Sequence, residues 1–457
     1  MNPETPMGTT IFRRYRAGKN LVFPAWTCVR AAMFGGHSLA AQVPRGCQAR
    51  LSNGVCAALA VACSDMTLRP RSCKHPQGTW PILGQWHTRA VKRAGIPLAV
   101  IGVAFLVAMI YVGFEQSVDH GITLVWDTLF DTNNKRMLVV PLCVVLGLVF
   151  FAGQHLLDPD SEAQESHGIV GAVVQPRLSD LGLVLLLGFL SLESGASLGP
   201  EAVLVPASLV IAAYLASKFF AGDERSRGAL ASAALVALFA AFFHSFVIGV
   251  AAIFLLAKQA QVKISAPLLL LAGLSSASAL ITLSIFYPKD SFFNWPSGGW
   301  KIAFADVGVA ALLAVAGFAT TYLLDRVHTV FRVIREHSLM NTWWRRALVA
   351  GLGLGLLFLL GGTLVEFTGN LSIKPMLQQS ASLGIAGLAG IYLVKVAAIA
   401  WSKAWGYRGG MIFPTLFVAS VLVAMATLVR PDTNFTIALI GAMVGVGFAE
   451  RRVKILV

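Results

Sequence analysis

Ser197-Leu198-Gly199-Pro200-Glu201-Ala202-Val203-Leu204 opens an apolar run with a Gly-Pro pair and places an acid at its start. Proline fits the first helical position, and an acid in the first turn is stabilised by the positive end of the helix dipole. The unpaired amides of such a start also bind anions. A carboxylate there can occupy an anion site when ionised and vacate it when protonated or displaced, which is the behaviour of a gate. The bland alternative is an interfacial helix cap. Acids inside membrane segments are rare and usually functional, so Glu201 is read as the gate.

A second start of the same kind lies in the other half of the chain. In Trp405-Gly406-Tyr407-Arg408-Gly409-Gly410-Met411-Ile412-Phe413-Pro414, a glycine-rich backbone opens another apolar helix. Gly409 and Gly410 let the backbone approach an ion, and the amides of Met411, Ile412 and Phe413 would point at one spot. Gly-Gly before proline is weak alone. Paired with the Glu201 start it is far stronger, because inverted repeats bring corresponding broken-helix ends together at the membrane midplane.

The rest of the chain supplies the membrane frame. Of its 457 residues, 56% are hydrophobic and only 13% charged, with mean hydropathy +0.71; soluble domains carry about 25% charged residues. Apolar stretches run over 96–114, 137–157, 181–192, 202–216, 229–256, 266–286, 302–324, 347–365, 383–401, 412–428 and 435–448. A crossing needs about 20 apolar residues, so some of these stop inside the bilayer. The expected fold is all-α: a polytopic membrane protein with two inverted halves, about 94–325 and 346–450, whose broken helices meet at a midplane anion site. The polar connections 218–228, 288–301 and 325–346 join the spans; the last is read as a cytoplasmic linker between halves, and Trp295 and Trp300 as anchors on the far side.

Charge divides the chain differently. Residues 1–93 hold thirteen Lys and Arg against Glu4 and Asp65, most of the net +14. The stretch has no helical or strand period and is expected to be a disordered arm; residues 451–457 form a short basic tail. Arg89, Lys92 and Arg93, directly before the first span, place the N-terminus in the cytoplasm. Cys28, Cys47, Cys56, Cys63 and Cys73 lie in the arm at spacings unlike zinc ligand pairs. Its basic residues suit lipid headgroups better than nucleic acid.

The two helix starts resemble the CLC family of chloride channels and proton-coupled chloride transporters over about residues 96–448. Gly199-Pro200-Glu201 matches the beginning of the family's Gly-x-Glu-Gly-Pro stretch, after which Ala202 and Val203 depart from it. Gly409-Gly410-Met411-Ile412-Phe413-Pro414 matches its Gly-Gly-x-Phe-x-Pro stretch, with Ile412 in place of the usual Phe. The resemblance implies that Glu201 is the gating glutamate, that Gly199, Pro200, Gly409, Gly410, Met411, Ile412 and Phe413 form the anion-binding backbone, and that the protein is a homodimer. The family's first anion motif has a poor echo in Ser166-His167-Gly168-Ile169-Val170. Lys258 stands where the transporters of the family have a proton-feeding glutamate, which argues against proton coupling by that route. The family continues with further helices and a pore tyrosine beyond the helix resembling 435–448; Tyr392 and Tyr407 are not at that place.

Three further polar residues are placed by their segments. His244 is expected to be a core histidine inside an apolar helix, Lys395 either a source of positive potential or a snorkelling side chain, and Glu366 a solvated residue at a span's end. No catalytic, metal or cofactor motif occurs, so an enzyme is not expected. The sequence thus reads as an integral protein of a bacterial plasma membrane that passes chloride or a similar anion down its gradient. The alternatives are a proton-coupled chloride antiporter and a non-conducting truncated scaffold.

Overall fold

Apolar stretches without internal polar breaks satisfy their backbone only as helices in a lipid environment, and the computed structural model is built accordingly. It describes residues 95–158, 178–220, 223–259, 263–288, 303–340 and 342–456. Two units divide the chain, 1–77 and 78–457. The expected arm, Ser166 to Val170, Trp295 and Trp300 all lie outside the described residues.

Twelve α-helices occupy the described part: α1 Gly95–Ile122, α2 Val139–Leu157, α3 Leu178–Glu193, α4 Glu201–Phe219, α5 Glu224–Phe243, α6 Phe246–Gln259, α7 Ala266–Phe286, α8 Phe304–Arg335, α9 Trp343–Gly361, α10 Ile373–Trp405, α11 Ile412–Val429 and α12 Phe435–Leu456. Nine helical segments among the described residues are long and apolar enough to cross a membrane. The apolar parts of α3, α6 and α12 are shorter.

The packing repeats. In the first part, α1 packs on α5, α2 on α3, α3 on α4 and α4 on α5; in the second, α8 packs on α12, α9 on α10, α10 on α11 and α11 on α12. Helices α2 and α9 lie against each other between the two sets. The α8–α12 contact is backbone to backbone, because side chains at Gly441 and Gly445 would run into the carbonyls of Ala310 and Ala314. Small residues four apart allow this approach.

Four sequence expectations change. The stretch 229–256 is not one helix: α5 ends at Phe243, and His244 takes a left-handed conformation (φ 46°, ψ 38°) before α6 begins. His244 is therefore a helix terminus, half-buried beside the rings of Tyr111 and Tyr287. The linker 325–346 is largely helical, since α8 continues to Arg335. Likewise α12 runs to Leu456 and takes in most of the expected tail.

The fourth concerns Glu366, which is buried, 5% exposed, rather than solvated. Arg136, just before α2, reaches it with Nη1 to Oε1 at 2.6 Å and donates Nη2 to the carbonyl of Phe358. Lys395 of α10 is fully buried and donates to the carbonyls of Val365 (3.0 Å) and Phe367 (2.6 Å). The connection between α9 and α10 is thus held inward from two sides. Removing one partner of a buried pair strands the other, at about 3 to 5 kcal/mol. Arg136→Ala is expected to fall at the low end of that range, because Arg136 is partly exposed. Thermal unfolding in detergent would read it, and an unchanged melting temperature would show that the pair does not hold this connection.

Candidate functional site

Two short connections, one before α4 and one before α11, meet in the protein's interior. Residues 191–200 are buried throughout. Gly199 and Gly410 exchange both backbone hydrogen bonds, N to O at 2.8 and 2.6 Å, as an isolated antiparallel bridge. Around this bridge the contacts come in matched pairs. The amide of Arg408 donates to Ser191 Oγ (2.9 Å), and the amide of Ser197 donates to Ser402 Oγ (3.0 Å). Gly195 and Gly406 both have positive φ, 90° and 91°. Ser191 and Ser402, Gly195 and Gly406, Ser197 and Arg408, and Gly199 and Gly410 all stand at one constant offset along the chain.

Reciprocal contacts of this kind mark a local two-fold relation. Its sequence signal is Ser-x3-Gly-x3-Gly, present at Ser191-Gly195-Gly199 and again at Ser402-Gly406-Gly410. Comparing the halves for spaced identities would have exposed it. The connection also receives Thr368, whose hydroxyl donates to the carbonyl of Leu198 (2.9 Å).

Glu201 begins α4 but its carboxylate serves the other half. Its Oε1 accepts from the amide of Phe413, in the first turn of α11, at 2.9 Å. The amides of Glu201 and Ile412 face the same carboxylate. Oε2 is buried and has no hydrogen-bond partner among the described residues. The carboxylate therefore caps the start of α11 through one oxygen and leaves the other without a hydrogen-bond partner among the described residues.

The other named residues divide by role. Gly199 and Gly410 use their amides on each other, and a side chain at either would collide with the Glu201 carboxylate. They make the room in which the carboxylate lies. A side chain at Gly409 would strike Leu198. Pro200 and Met411 are the residues preceding α4 and α11, and proline has no amide hydrogen to offer. The ring of Phe413 packs against Phe242 and Phe243, centroids 5.4 and 5.7 Å away. Tyr407 is buried and stacked on Phe150. Lys258 lies exposed in the last turn of α6.

One buried acid escaped the sequence reading. Glu193, the last residue of α3, is 6% exposed, and neither carboxyl oxygen has a hydrogen-bond partner among the described residues. It directly follows the apolar stretch 181–192, and only the fold shows it enclosed.

Comparison with known proteins agrees with this architecture. The family model described as "Voltage gated chloride channel" matches residues 159–451. The "Putative ion-transport protein YfeO" of Escherichia coli is 28% identical over 358 residues, covering 74% of this chain and 79% of its own, and that of Escherichia fergusonii is 28% identical over 353 residues with the same coverage. Among solved structures, a slow cyanobacterial Cl−/H+ antiporter is similar at TM-score 0.61 and 17% identity over 78% of this chain and 84% of its own. A CLC-type fluoride/proton antiporter is similar at TM-score 0.62 and 17% identity over 79% of this chain and 88% of its own. These likenesses bear on the fold. With its apolar helices and broken starts in place, the chain is an integral membrane protein and belongs to the voltage-gated chloride channel family.

Proposed function

We propose that this protein lets chloride or a similar small anion cross the membrane down its gradient, with Glu201 as the gate. The observation that carries this reading is the hydrogen bond from the Phe413 amide to Glu201 Oε1. An ionised carboxylate holds that amide; when it is protonated or displaced, the amides of Ile412 and Phe413 become available to an anion. The buried connection between α3 and α4, braced by the Gly199–Gly410 bridge, keeps the two helix starts facing each other. The Arg89, Lys92 and Arg93 cluster supports a cytoplasmic N-terminus, and the bacterial relatives a bacterial plasma membrane. A homodimer follows from the family resemblance.

Passive passage rather than exchange is supported by Lys258. In the position that the resemblance assigns to a proton-feeding glutamate, this chain has an exposed cation. The expected result in vesicles is chloride efflux with no fixed ratio of protons moved per chloride. A fixed ratio would replace this reading with antiport, the second reading, which is favoured by the two similar structures being antiporters. Absence of any anion flux would overturn transport and favour a scaffold.

A further inference from the structure

A buried carboxyl with no partner needs a reason to persist, because an unpaired ion in a protein interior is costly. Glu193 is such a group, and its surroundings are specific. Its main-chain carbonyl is fixed by the indole of Trp126, Nε1 to O at 3.0 Å. Its carboxyl lies against Gly121 near the C-terminus of α1, where any side chain would strike it. Gly121 is itself half-exposed, His120 before it is exposed, and the connection to α2 carries Asp127, Asn133, Asn134 and Lys135 at the surface beside the exposed Leu124, Leu129 and Phe130. The polar stretch 131–136, just before α2, is of the kind that lies at an aqueous boundary. One half-exposed glycine therefore separates the carboxyl from the protein surface.

The neighbouring helices offer nothing that compensates a charge there. The titratable groups of the elements packed on α3 are Tyr111, Glu115, Asp119 and His120 on α1, Asp127 after it, Cys143 and His155 on α2, and Glu201, Tyr214 and the exposed Lys218 on α4. None of them hydrogen-bonds the Glu193 carboxyl, for both its oxygens stand alone among the described residues. An ionised Glu193 would gain solvation by swinging out past the half-exposed Gly121. That motion pulls on Ser194 to Pro200, the buried connection whose Gly199 bridges to Gly410 and whose end carries Glu201.

We propose that Glu193 is a proton-binding site: protonated, it stays enclosed and the connection keeps its closed form; deprotonated, it turns outward and shifts the half of the anion site that follows. The proton comes from water at the α1 end and returns to it, so no other reactant is involved. This assignment rests on the anion reading only for its consequence, not for the proton site itself.

Infrared spectra of the full-length protein in lipid test it. A protonated-carboxyl C=O band is expected that fades as pH is raised, survives Glu201→Gln and disappears in Glu193→Gln. In the Glu201→Gln background, chloride flux should keep a small pH response, about two-fold to three-fold, that the added Glu193→Gln removes. Glu193→Gln conserves shape and breaks no hydrogen bond, so folding should persist; Glu193→Asp, which keeps a carboxyl, should keep a titrating band. A band that persists unchanged in Glu193→Gln, or one that never titrates, overturns the proposal. A protein with the titrating band but no anion flux would overturn the transport reading alone.

Discussion

Glu201→Gln is expected to raise chloride flux at neutral pH by about ten-fold and to remove most of its dependence on pH. Glu201 accepts from the Phe413 amide at 2.9 Å, and when ionised it does so with a charge. A hydrogen bond to a charged group contributes about 1.5 to 3 kcal/mol and a neutral one about 0.5 to 1.5, so exchanging acid for amide weakens the competitor by roughly one factor of ten. The direction with pH follows from the chemistry. Wild-type flux is expected to rise as pH falls, because protonation would remove the charge that holds the amide. Glutamine behaves as the protonated form at every pH, and Glu201→Ala empties the position. Were Glu201 only a cap on the α11 dipole, the same change would cost about 0.3 to 1 kcal/mol of stability and leave the pH profile as it was.

Gly199→Ala should reproduce that opening by steric means. A methyl group there meets Oε2, the carboxyl carbon and Oε1 of Glu201, all at the free end of a flexible side chain. The cheapest response is for the carboxylate to leave, while the backbone bridge to Gly410 persists. Flux at neutral pH is therefore expected to rise several-fold. In a Glu201→Ala background nothing remains to displace, and the same methyl should change flux by less than about two-fold. Such non-additivity is the signature of two residues acting through one contact. If Gly199→Ala lowers flux equally in both backgrounds, the methyl obstructs the path and the glycine serves the anion rather than the gate.

How much of this could be read from the chain depends on the kind of feature. The helices were legible because lipid leaves the backbone little choice, and both helix starts were legible because Gly-Pro-Glu and Gly-Gly before proline are local signals. What could not be read was which partner each polar group meets. Glu366 follows a span and precedes polar residues, the pattern of a solvated end, yet Arg136 from a distant segment turns it inward. Lys395 does not snorkel: it is fully buried and hydrogen-bonds carbonyls of a connection some thirty residues away in sequence. His244 ends a helix in a left-handed conformation that glycine usually supplies, so the run Phe242-Phe243-His244 gave no warning of the break. Glu193 has no local mark at all, since its isolation is a property of packing.

The competition between carboxylate and anion for one amide can be observed directly by anomalous diffraction from crystals soaked in bromide. The account expects bromide within hydrogen-bond reach of the Phe413 amide in Glu201→Gln, and in wild type at acid pH, with that place taken by the Glu201 carboxylate in wild type at alkaline pH. Bromide bound at the helix end while Glu201 still holds the Phe413 amide, or bromide absent from it in Glu201→Gln, would contradict the account.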